Sequence, residues 1–101
     1  MSFRVVHEAE AKEEFREAVA WYEAQAEGLG VRFVGAVDKV MAAMSAQPNR
    51  FSNAGRNSRK ARVLGWPYSI HFAIVEENQE IKVIAVWHGR RKPAELRRRL
   101  K

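Results

Sequence analysis

The segment from Ile81 to Trp87 is apolar at nearly every position, and it limits what the chain can fold into more than any other segment does. A strand with one buried face alternates apolar and polar residues. A run without that alternation is therefore expected of a central strand covered on both faces or nearly so. The run leads directly into His88-Gly89-Arg90-Arg91-Lys92-Pro93. A rigid strand would fix where one imidazole and three cations point.

Two helices are predicted earlier in the chain. Apolar residues recur at helical spacing from Glu8 to Glu27 and again from Leu29 to Gln47, and Pro48 stops the second run. Gly28 and Gly30 interrupt the pattern between them. Helices joined by so short a connection pack side by side, so we expect an antiparallel helical hairpin.

Four segments favour β structure. They are Phe3 to Val6, Ala61 to Trp66, Tyr68 to Val75 and Ile81 to Trp87. Tight connections separate the last three, one of them the turn from Glu76 to Gln79, and this predicts an antiparallel meander. By simple alternation, Ile81, Val83, Ala85 and Trp87 are expected on one side of the last strand.

The stretch from Asn49 to Lys60 has no hydrophobic periodicity and is predicted to be a loop, either functional or a mobile connection. Together these patterns predict an α+β fold in a single domain, residues 1–101, with the order β-α-α-β-β-β. We expect the helical hairpin to pack on one face of a small, mainly antiparallel sheet, with the last strand inside the sheet beside the first. A short helical turn, Ala94 to Leu100, follows Pro93. The other face of the sheet is expected to be left for function.

Charge is unevenly distributed along the chain, whose formal net charge is +6. Residues 1–48 carry a net charge of −3 and residues 49–101 a net charge of +9. We therefore expect one basic surface that faces a polyanion or an acidic protein segment. Arg97, Arg98, Arg99 and Lys101 are expected to form a solvated terminal face, and His71 is predicted to be a surface residue of the sheet.

Composition argues against several classes of protein. The chain has no cysteine, so disulfides and thiolate metal sites are unavailable, and we expect neither a metal site nor a cofactor. The longest clean apolar run, Val83 to Trp87, is far shorter than the ~20 residues that a membrane helix needs. The N-terminus turns acidic at once and lacks a signal-peptide hydrophobic region. A cytoplasmic protein without membrane contact is therefore expected.

Six segments together point to a known family. They are Glu17 to Tyr22, Leu29 to Phe33, Gln47 to Phe51, Arg59 to Val63, Trp66 to Ile70 and Val86 to Pro93. In this order they resemble the RelE/ParE toxins of bacterial type II toxin-antitoxin systems, often labelled plasmid stabilisation proteins. The resemblance implies a toxin held inactive by a cognate antitoxin in a hetero-oligomeric complex. Because the antitoxin would cover the +9 half and its apolar margins, we expect it to carry an acidic, amphipathic C-terminal segment.

The resemblance implies one of two activities. RelE-like proteins cut messenger RNA in the ribosome, whereas ParE-like proteins block DNA gyrase without being nucleases. The segment from Trp66 to Ile70 and the junction at His88 look more like the ParE side. RelE-like enzymes use Arg and Lys on the central strands, but here the meander's central strand offers Ser69 and His71, and neither Tyr nor His follows Pro93. We therefore expect gyrase inhibition, with ribosome-dependent mRNA cleavage as the alternative.

The candidate site consists of cations and one imidazole from two strands. The residues expected to bind the target or a phosphate are Arg59, Lys60, Arg62, His88, Arg90 and Arg91. In the nuclease alternative, the reaction would fall to His88, Arg90, Arg91 and Arg62, since metal-free cleavage needs proton transfer and cations around the phosphate. Alternatively, His88 has a purely structural role and hydrogen-bonds to the backbone at the end of its strand.

Two further expectations concern aromatic and basic surfaces. Trp66 and Trp87 are predicted to be exposed anchors for a protein target. A third hypothesis is a nucleic-acid-binding module that uses the sheet as a platform for stacked bases. It ranks last because His71 is the one stacking group on the face that would be open.

Overall fold

The structure, a computed structural model, describes residues 2–100. In chain order its elements are β1 (Arg4–His7), α1 (Ala9–Gln25), α2 (Leu29–Ala46), β2 (Ser52–Gly55), β3 (Ser58–Arg62), β4 (Tyr68–Val75), β5 (Glu80–His88) and α3 (Pro93–Arg99). Single 3-10 turns span Pro48–Arg50 and Glu76–Asn78. The predicted α+β fold is confirmed. Within residues 2–100 none of the helices is both long and apolar enough to cross a bilayer.

The five strands form one sheet in the order β1-β5-β4-β3-β2. β1 pairs with β5 in parallel, and the other neighbours are antiparallel. β5 therefore lies inside the sheet next to β1, as its apolar run predicted. Both faces of β5 are covered: its residues from Ile81 to Trp87 are buried with the exception of Lys82.

The helical hairpin packs on one face of the sheet and supplies the main core. Phe33 and Met44 of α2 are fully buried against Ile70 and Phe72 of β4 and the rest of this cluster. The tight connection depends on Gly28, whose φ of 86° is left-handed and strained for residues with a Cβ. The predicted antiparallel pairing of the helices is confirmed. The apolar sides of the two helices pack against β4 and β5.

The prediction of a loop from Asn49 to Lys60 is wrong, because β2 and β3 form a hairpin there. Arg56 and Asn57 make its two-residue turn, both with positive φ, as hairpins with right-handed strand twist require. The Ser58 hydroxyl closes the turn by donating to the Gly55 carbonyl at 2.5 Å. Polar strands at a sheet edge lack the apolar pattern that identifies strands in a sequence, so this hairpin escaped detection.

The strand predicted from Ala61 to Trp66 begins and ends earlier than expected. β3 ends at Arg62, and the residues after it turn through Gly65, with φ of 88°, before Pro67 leads into β4. Alternation places Ala61 on the core side and Lys60 and Arg62 on the opposite side of the sheet.

A β-bulge in β5 changes which of its residues share a face. His71 pairs with Ala85 and Phe72 with Val83, so Ile84 is an extra residue on β5. An extra residue reverses the alternation beyond it.

The expectation that Ile81, Val83, Ala85 and Trp87 share one side is therefore wrong. Ile81 and Val83 pack in the core under the helical hairpin, whereas Ala85 and Trp87 pack in a second cluster on the opposite face. Simple counting from one end of the strand fails at Ile84 because the bulge absorbs one residue.

α3 covers this second cluster. Leu96 and Leu100 pack against Ile84, Ala85 and Trp87. A fully buried leucine contributes roughly 1.5–3 kcal/mol, enough to hold a helix of two turns on an apolar patch. The expectation that the second face of the sheet is left open is therefore wrong where α3 lies on it. The same contact buries Trp87, which is 5% exposed and so is not the exposed anchor predicted.

Candidate functional site

The start of β4 and the end of β5 meet at one end of the sheet and form a cleft of about 270 Å³, here called the strand-end cleft. Its lining consists of Arg62, Trp66, Pro67, Tyr68, Ser69, His88, Gly89 and Arg90. The register brings them together, because Tyr68 pairs with His88 and Arg62 pairs with Ser69. Three of the six predicted site residues, Arg62, His88 and Arg90, therefore lie around one cleft.

Hydrogen bonds hold the turn beyond β5 in place. The Arg90 backbone N–H donates to His88 Nδ1 at 2.9 Å, and the Arg91 N–H donates to the His88 carbonyl at 3.0 Å. The Gly89 N–H donates to the Pro67 carbonyl at 2.8 Å. Since Nδ1 is an acceptor, a neutral His88 carries its proton on Nε2. The backbone-bonding role considered for His88 is thus present in the structure.

Arg91 points away from the strand-end cleft. Its Nη1 donates to Glu14 Oε2 of α1 at 2.6 Å, and its guanidinium lies over the Trp87 ring at 3.7 Å from the centroid. Burial alone would raise the pKa of Glu14. Hydrogen bonds from Arg99, the Val86 N–H and Arg91 outweigh burial and hold that pKa below its ordinary value. Arg91 therefore serves the attachment of the turn to α1.

Arg99 belongs to the same group of charges, although the sequence suggested a solvated terminal face from Arg97 to Lys101. Its side chain is 16% exposed and pairs with Glu14, and Glu14 raises the pKa of the guanidinium further. Arg97 and Arg98 are exposed as predicted, and Lys101 lies outside the described residues.

Arg59 and Lys60 are neighbours that face opposite sides of the sheet. Arg59 Nη1 donates to the Phe51 carbonyl at 2.6 Å and braces the chain entering β2. Lys60 lies on the other side with Arg62. The structure thus separates the six predicted residues into a cleft group, two braces and one lysine on the sheet face.

A second cavity, of about 540 Å³, lies between α3 and the sheet and is here called the sheet-face cavity. Lys60, Arg62 and Arg97 contribute its cations, and His71 lies among them. His71 is 4% exposed, so the prediction that it is a surface residue is wrong. Burial, with Lys60 and Arg99, lowers the pKa of His71 to about 4, and its imidazole is therefore neutral at neutral pH.

These environments limit the chemistry available. Among the described residues, neither cavity has a carboxylate in its lining. In the strand-end cleft, the groups able to transfer protons are His88 and Tyr68, whose rings stand edge to face with centroids 5.0 Å apart. Burial raises the pKa of Tyr68, which makes it a weaker acid. Within residues 2–100, no group of three or more His, Asp or Glu side chains is placed to hold a metal ion.

A sequence model of one family matches most of the chain. Residues 5–93 match the family described as the ParE toxin of the type II toxin-antitoxin system, parDE. The chain belongs to the ParE toxin family. The resemblance inferred from the six sequence segments is thereby confirmed, and this protein is a toxin of a type II toxin-antitoxin system.

Solved structures share the fold of this ParE-family toxin. The RelBE2 toxin-antitoxin complex of Mycobacterium tuberculosis matches with a TM-score of 0.65 at 19% identity, over 87% of this chain and 99% of that chain. A mutant of the Escherichia coli toxin RelE in the free state matches with a TM-score of 0.73 at 16% identity, over 99% and 95% of the two chains. The isolated E. coli RelE toxin gives 0.59 at 14% identity, over 99% and 100%. No curated protein shows a significant sequence match.

Sequence reasoning missed several residues of the two cavities in this ParE-family toxin. Without a bulge, the strand pairing that starts at the turn after Val75 would place Tyr68 opposite Trp87. The bulge shifts the register by one residue, so Tyr68 pairs with His88 instead. Arg97 gave no signal, because the side of the sheet on which α3 folds is decided by packing after Pro93.

The aromatic surfaces of this toxin also differ from expectation. Trp66 is half-buried and stands edge-on to Tyr22, with ring centroids 4.7 Å apart. Trp21 is 59% exposed and Leu64 is 82% exposed. The base-stacking platform of the third hypothesis depended on His71, which is buried, so the geometry opposes that hypothesis.

Proposed function

We propose that this ParE-family toxin inhibits DNA gyrase by contact through the strand-end cleft. The support comes chiefly from Arg62 and Arg90, which are exposed and form no ion pair within residues 2–100, while Arg91 is engaged by Glu14. A rigid strand end presents these two cations beside an aromatic wall of Trp66 and Tyr68. Cations beside aromatic side chains suit recognition of an acidic protein surface.

The chemistry of the cleft favours contact over catalysis. Metal-free RNA cleavage needs a base and an acid on opposite sides of a phosphate. His88 Nδ1 is already hydrogen-bonded to the Arg90 N–H, and burial makes Tyr68 a weaker acid. Cations without an acid-base pair can hold a partner but contribute little to proton transfer.

We further propose that a cognate antitoxin, encoded beside the toxin gene, neutralises it in the cytoplasm through an acidic, amphipathic C-terminal segment. Residues 49–101 carry a net charge of +9, and covering them requires opposite charge. The M. tuberculosis structure that shares this fold is a toxin-antitoxin complex, which supports an arrangement of the same kind.

Ribosome-dependent mRNA cleavage is the second candidate, because Lys60, Arg62 and Arg97 converge on the sheet-face cavity, where a phosphate could be held. Against it, the His71 Nδ1 atom in that cavity is inaccessible to solvent and has no hydrogen-bond partner among residues 2–100. A nitrogen that solvent cannot reach is not placed to exchange a proton with a substrate held in this cavity.

Two assays on the same purified protein separate the candidates. Supercoiling of relaxed plasmid by bacterial gyrase tests the first, and primer-extension mapping of messages in a translating extract tests the second. We expect supercoiling to be inhibited while the messages stay intact. Ribosome-dependent cuts without gyrase inhibition would replace the first candidate with the second.

A further inference from the structure

Trp21 is a large aromatic side chain on the surface of α1, outside the linings of the strand-end cleft and the sheet-face cavity. It is 59% exposed, although a buried aromatic ring is one of the larger single contributions to a folded core. Tryptophan is also among the residue types most enriched at the anchor points of protein interfaces. An exposed ring held on a regular helix is therefore a candidate contact for a partner.

A row of aromatic rings joins Trp21 to the strand-end cleft. The Trp21 ring stands edge-on to Tyr22, with centroids 5.2 Å apart. Tyr22 stands edge-on to Trp66 at 4.7 Å and to Tyr68 at 6.3 Å, and both of these residues line the cleft. Edge-to-face pairs at such distances are attractive and favour one relative orientation of the rings. Trp21 and the strand-end cleft therefore adjoin each other.

Glu17 lies beside Trp21 on α1. The two residues are four apart, so they share one face of the helix with Cβ atoms ~5–6 Å from each other. Glu14 belongs to the same face and contacts Arg91 of the turn beyond β5. Burial raises the pKa of Tyr68, and the negative charge of Glu17 adds to that rise. This face of α1 therefore borders the strand-end cleft.

Neither Glu17 nor Trp21 has a cationic partner within residues 2–100. Glu17 is exposed and forms no ion pair there, and no guanidinium of those residues lies over the Trp21 ring. Glu13, one turn earlier on α1, is instead paired with Arg16. A carboxylate and an aromatic face are thus available together to a cation from outside the chain.

The same two kinds of group already hold an arginine elsewhere in this toxin. The Arg91 guanidinium lies over the Trp87 ring at 3.7 Å from the centroid, and its Nη1 donates to Glu14 Oε2 at 2.6 Å. Arginine suits such a site because its planar group stacks on a ring while its N–H groups bond to a carboxylate. Trp21 and Glu17 present the same combination without the arginine.

The charge of Glu17 selects the occupant. A nucleic acid would stack a base on Trp21, but the carboxylate would repel its phosphates. An apolar side chain would cover the ring and would remove water from Glu17 without replacing its hydrogen bonds. An arginine of a protein partner satisfies the ring and the carboxylate together.

We propose that Trp21 and Glu17 together bind an arginine side chain of gyrase, next to the acidic surface that contacts the strand-end cleft. This inference rests on the proposed inhibition of gyrase and adds a second contact to it. Carboxylates of the partner would meet Arg62 and Arg90 while its arginine meets Glu17. Opposite charges at two neighbouring positions fix the orientation in which two proteins dock. The toxin would then recognise a pattern of charge rather than acidity alone.

The test uses exposed side chains, so that the core is not disturbed. Trp21→Ala removes the ring, Trp21→Leu keeps apolar area but removes the aromatic face, and Glu17→Gln removes the charge. Leu64→Ala and Glu27→Gln are matched controls, since both residues are exposed and lie outside the strand-end cleft. Supercoiling by a fixed amount of gyrase is measured against rising concentrations of each toxin, and thermal unfolding checks that each variant is folded.

We expect half inhibition to require at least about tenfold more of Trp21→Ala or Trp21→Leu, and at least about threefold more of Glu17→Gln. Both controls should inhibit like wild type. Because the two residues would hold the same arginine, Trp21→Ala combined with Glu17→Gln should weaken inhibition by less than the product of the single effects.

Three results would overturn the arginine contact. Full potency of Trp21→Leu would show an apolar contact in its place. A double variant whose effect equals the product of the single effects would show two independent contacts. Wild-type potency of Trp21→Ala, together with weaker calorimetric binding to the purified product of the adjacent antitoxin gene, would assign Trp21 to the antitoxin instead.

Failure of this contact is distinguishable from failure of the gyrase proposal. If wild-type toxin leaves supercoiling unchanged, both proposals fail. If wild type inhibits supercoiling and Trp21→Ala inhibits it equally well, the arginine contact alone fails and the strand-end cleft stands.

Discussion

The Glu14 carboxylate on α1 receives two hydrogen bonds from the Arg99 guanidinium on α3, with Nη1 2.5 Å from Oε2 and Nη2 3.1 Å from Oε1. The side chains are 12% and 16% exposed. A bidentate pair of this kind fixes the orientation of both groups as well as their distance. It links the helical hairpin on one face of the sheet to the helix on the other face.

The pair meets at the free edge of β5. β1 pairs with β5 from Glu80 to Val83, so the rest of that edge extends beyond β1. There Glu14 Oε1 accepts the Val86 N–H at 3.0 Å, and Arg99 Nη2 donates to the Ile84 carbonyl at 2.6 Å. The two side chains thus satisfy the backbone groups that a neighbouring strand would otherwise bind.

Replacing Glu14 with glutamine should destabilise the fold. The change removes the charge that neutralises Arg99 and Arg91 in a poorly hydrated site. We expect the free energy of unfolding to fall by about 2–4 kcal/mol, measured by urea denaturation. Glu13→Gln is the control, since Glu13 is exposed and pairs with exposed Arg16, and it should change stability by less than about 0.5 kcal/mol. Equal effects of the two changes would contradict a clamp at Glu14.

The free energy of unfolding should decrease as the pH is lowered, beginning above the pH range in which the carboxylates titrate. The pKa of His71 is about 4 in the folded protein, whereas the ordinary value for histidine is 6.5, so the unfolded chain binds more protons between these values. The contribution of His71 to stability is therefore fully present above pH 6.5. It is lost as the pH falls towards 4, which lowers the free energy of unfolding by about 3 kcal/mol. Denaturation at a series of pH values measures the slope.

A His71→Phe variant isolates this contribution. Burial and Lys12 also lower the pKa of His7, so the wild-type slope includes a second group of the same sign. The difference in slope between wild type and His71→Phe removes that term. An identical pH dependence in the two proteins would show that His71 is not buried in its neutral form.

Much of the fold could be predicted because its strongest patterns belong to its most buried elements. The helical hairpin and the interior position of β5 follow from apolar spacing, since these elements bury much of the apolar surface. The hairpin of β2 and β3 could not be predicted that way. It is polar at a sheet edge and is stabilised by pairing with β4, a tertiary contact that local composition does not reveal.

The site was harder to predict than the fold. Cations at the end of β5 were predicted, but one inserted residue at Ile84 decides that His88 faces Tyr68. The docking of α3 turns Arg99 inward and buries His71, although both belong to segments that appear solvent-exposed in the sequence. These outcomes depend on which side of the sheet the last helix covers, and only its two leucines hint at that.

The turn between β2 and β3 offers a test of backbone conformation. Arg56 and Asn57 have φ of 50° and 61°. Asparagine tolerates this region, whereas other residues with a Cβ pay roughly 1–2 kcal/mol there. Arg56→Gly should therefore leave stability unchanged or raise it by up to about 1 kcal/mol, and Arg56→Val should lower it by about 1 kcal/mol or more. Chemical denaturation measures the free energy of unfolding of both variants. A more stable Arg56→Val than Arg56→Gly would refute the turn geometry.

Arg90 and Arg91 are neighbours in sequence with different predicted roles. Arg90→Ala should relieve growth arrest in cells that express the toxin without its antitoxin, with unfolding unchanged. Arg91→Ala removes the contacts to Glu14 and the Trp87 ring and should lower the free energy of unfolding by about 1 kcal/mol. Growth curves and thermal melts on both variants separate the roles. If Arg90→Ala is as toxic as wild type, Arg90 does not contribute to the surface that contacts the target.

Inhibition of gyrase by purified toxin, titrated against a fixed amount of enzyme, tests the central claim most directly. The pair Arg62→Ala with Arg90→Ala removes the two free cations of the strand-end cleft, and Lys82→Ala on the exposed part of β5 serves as control. Wild type and Lys82→Ala should inhibit supercoiling at similar concentrations, and the double variant should require about tenfold more or greater. The proposal that the strand-end cleft inhibits gyrase would be contradicted by either of two results. One is that wild-type toxin fails to inhibit supercoiling, and the other is that the double variant inhibits it as strongly as wild type does.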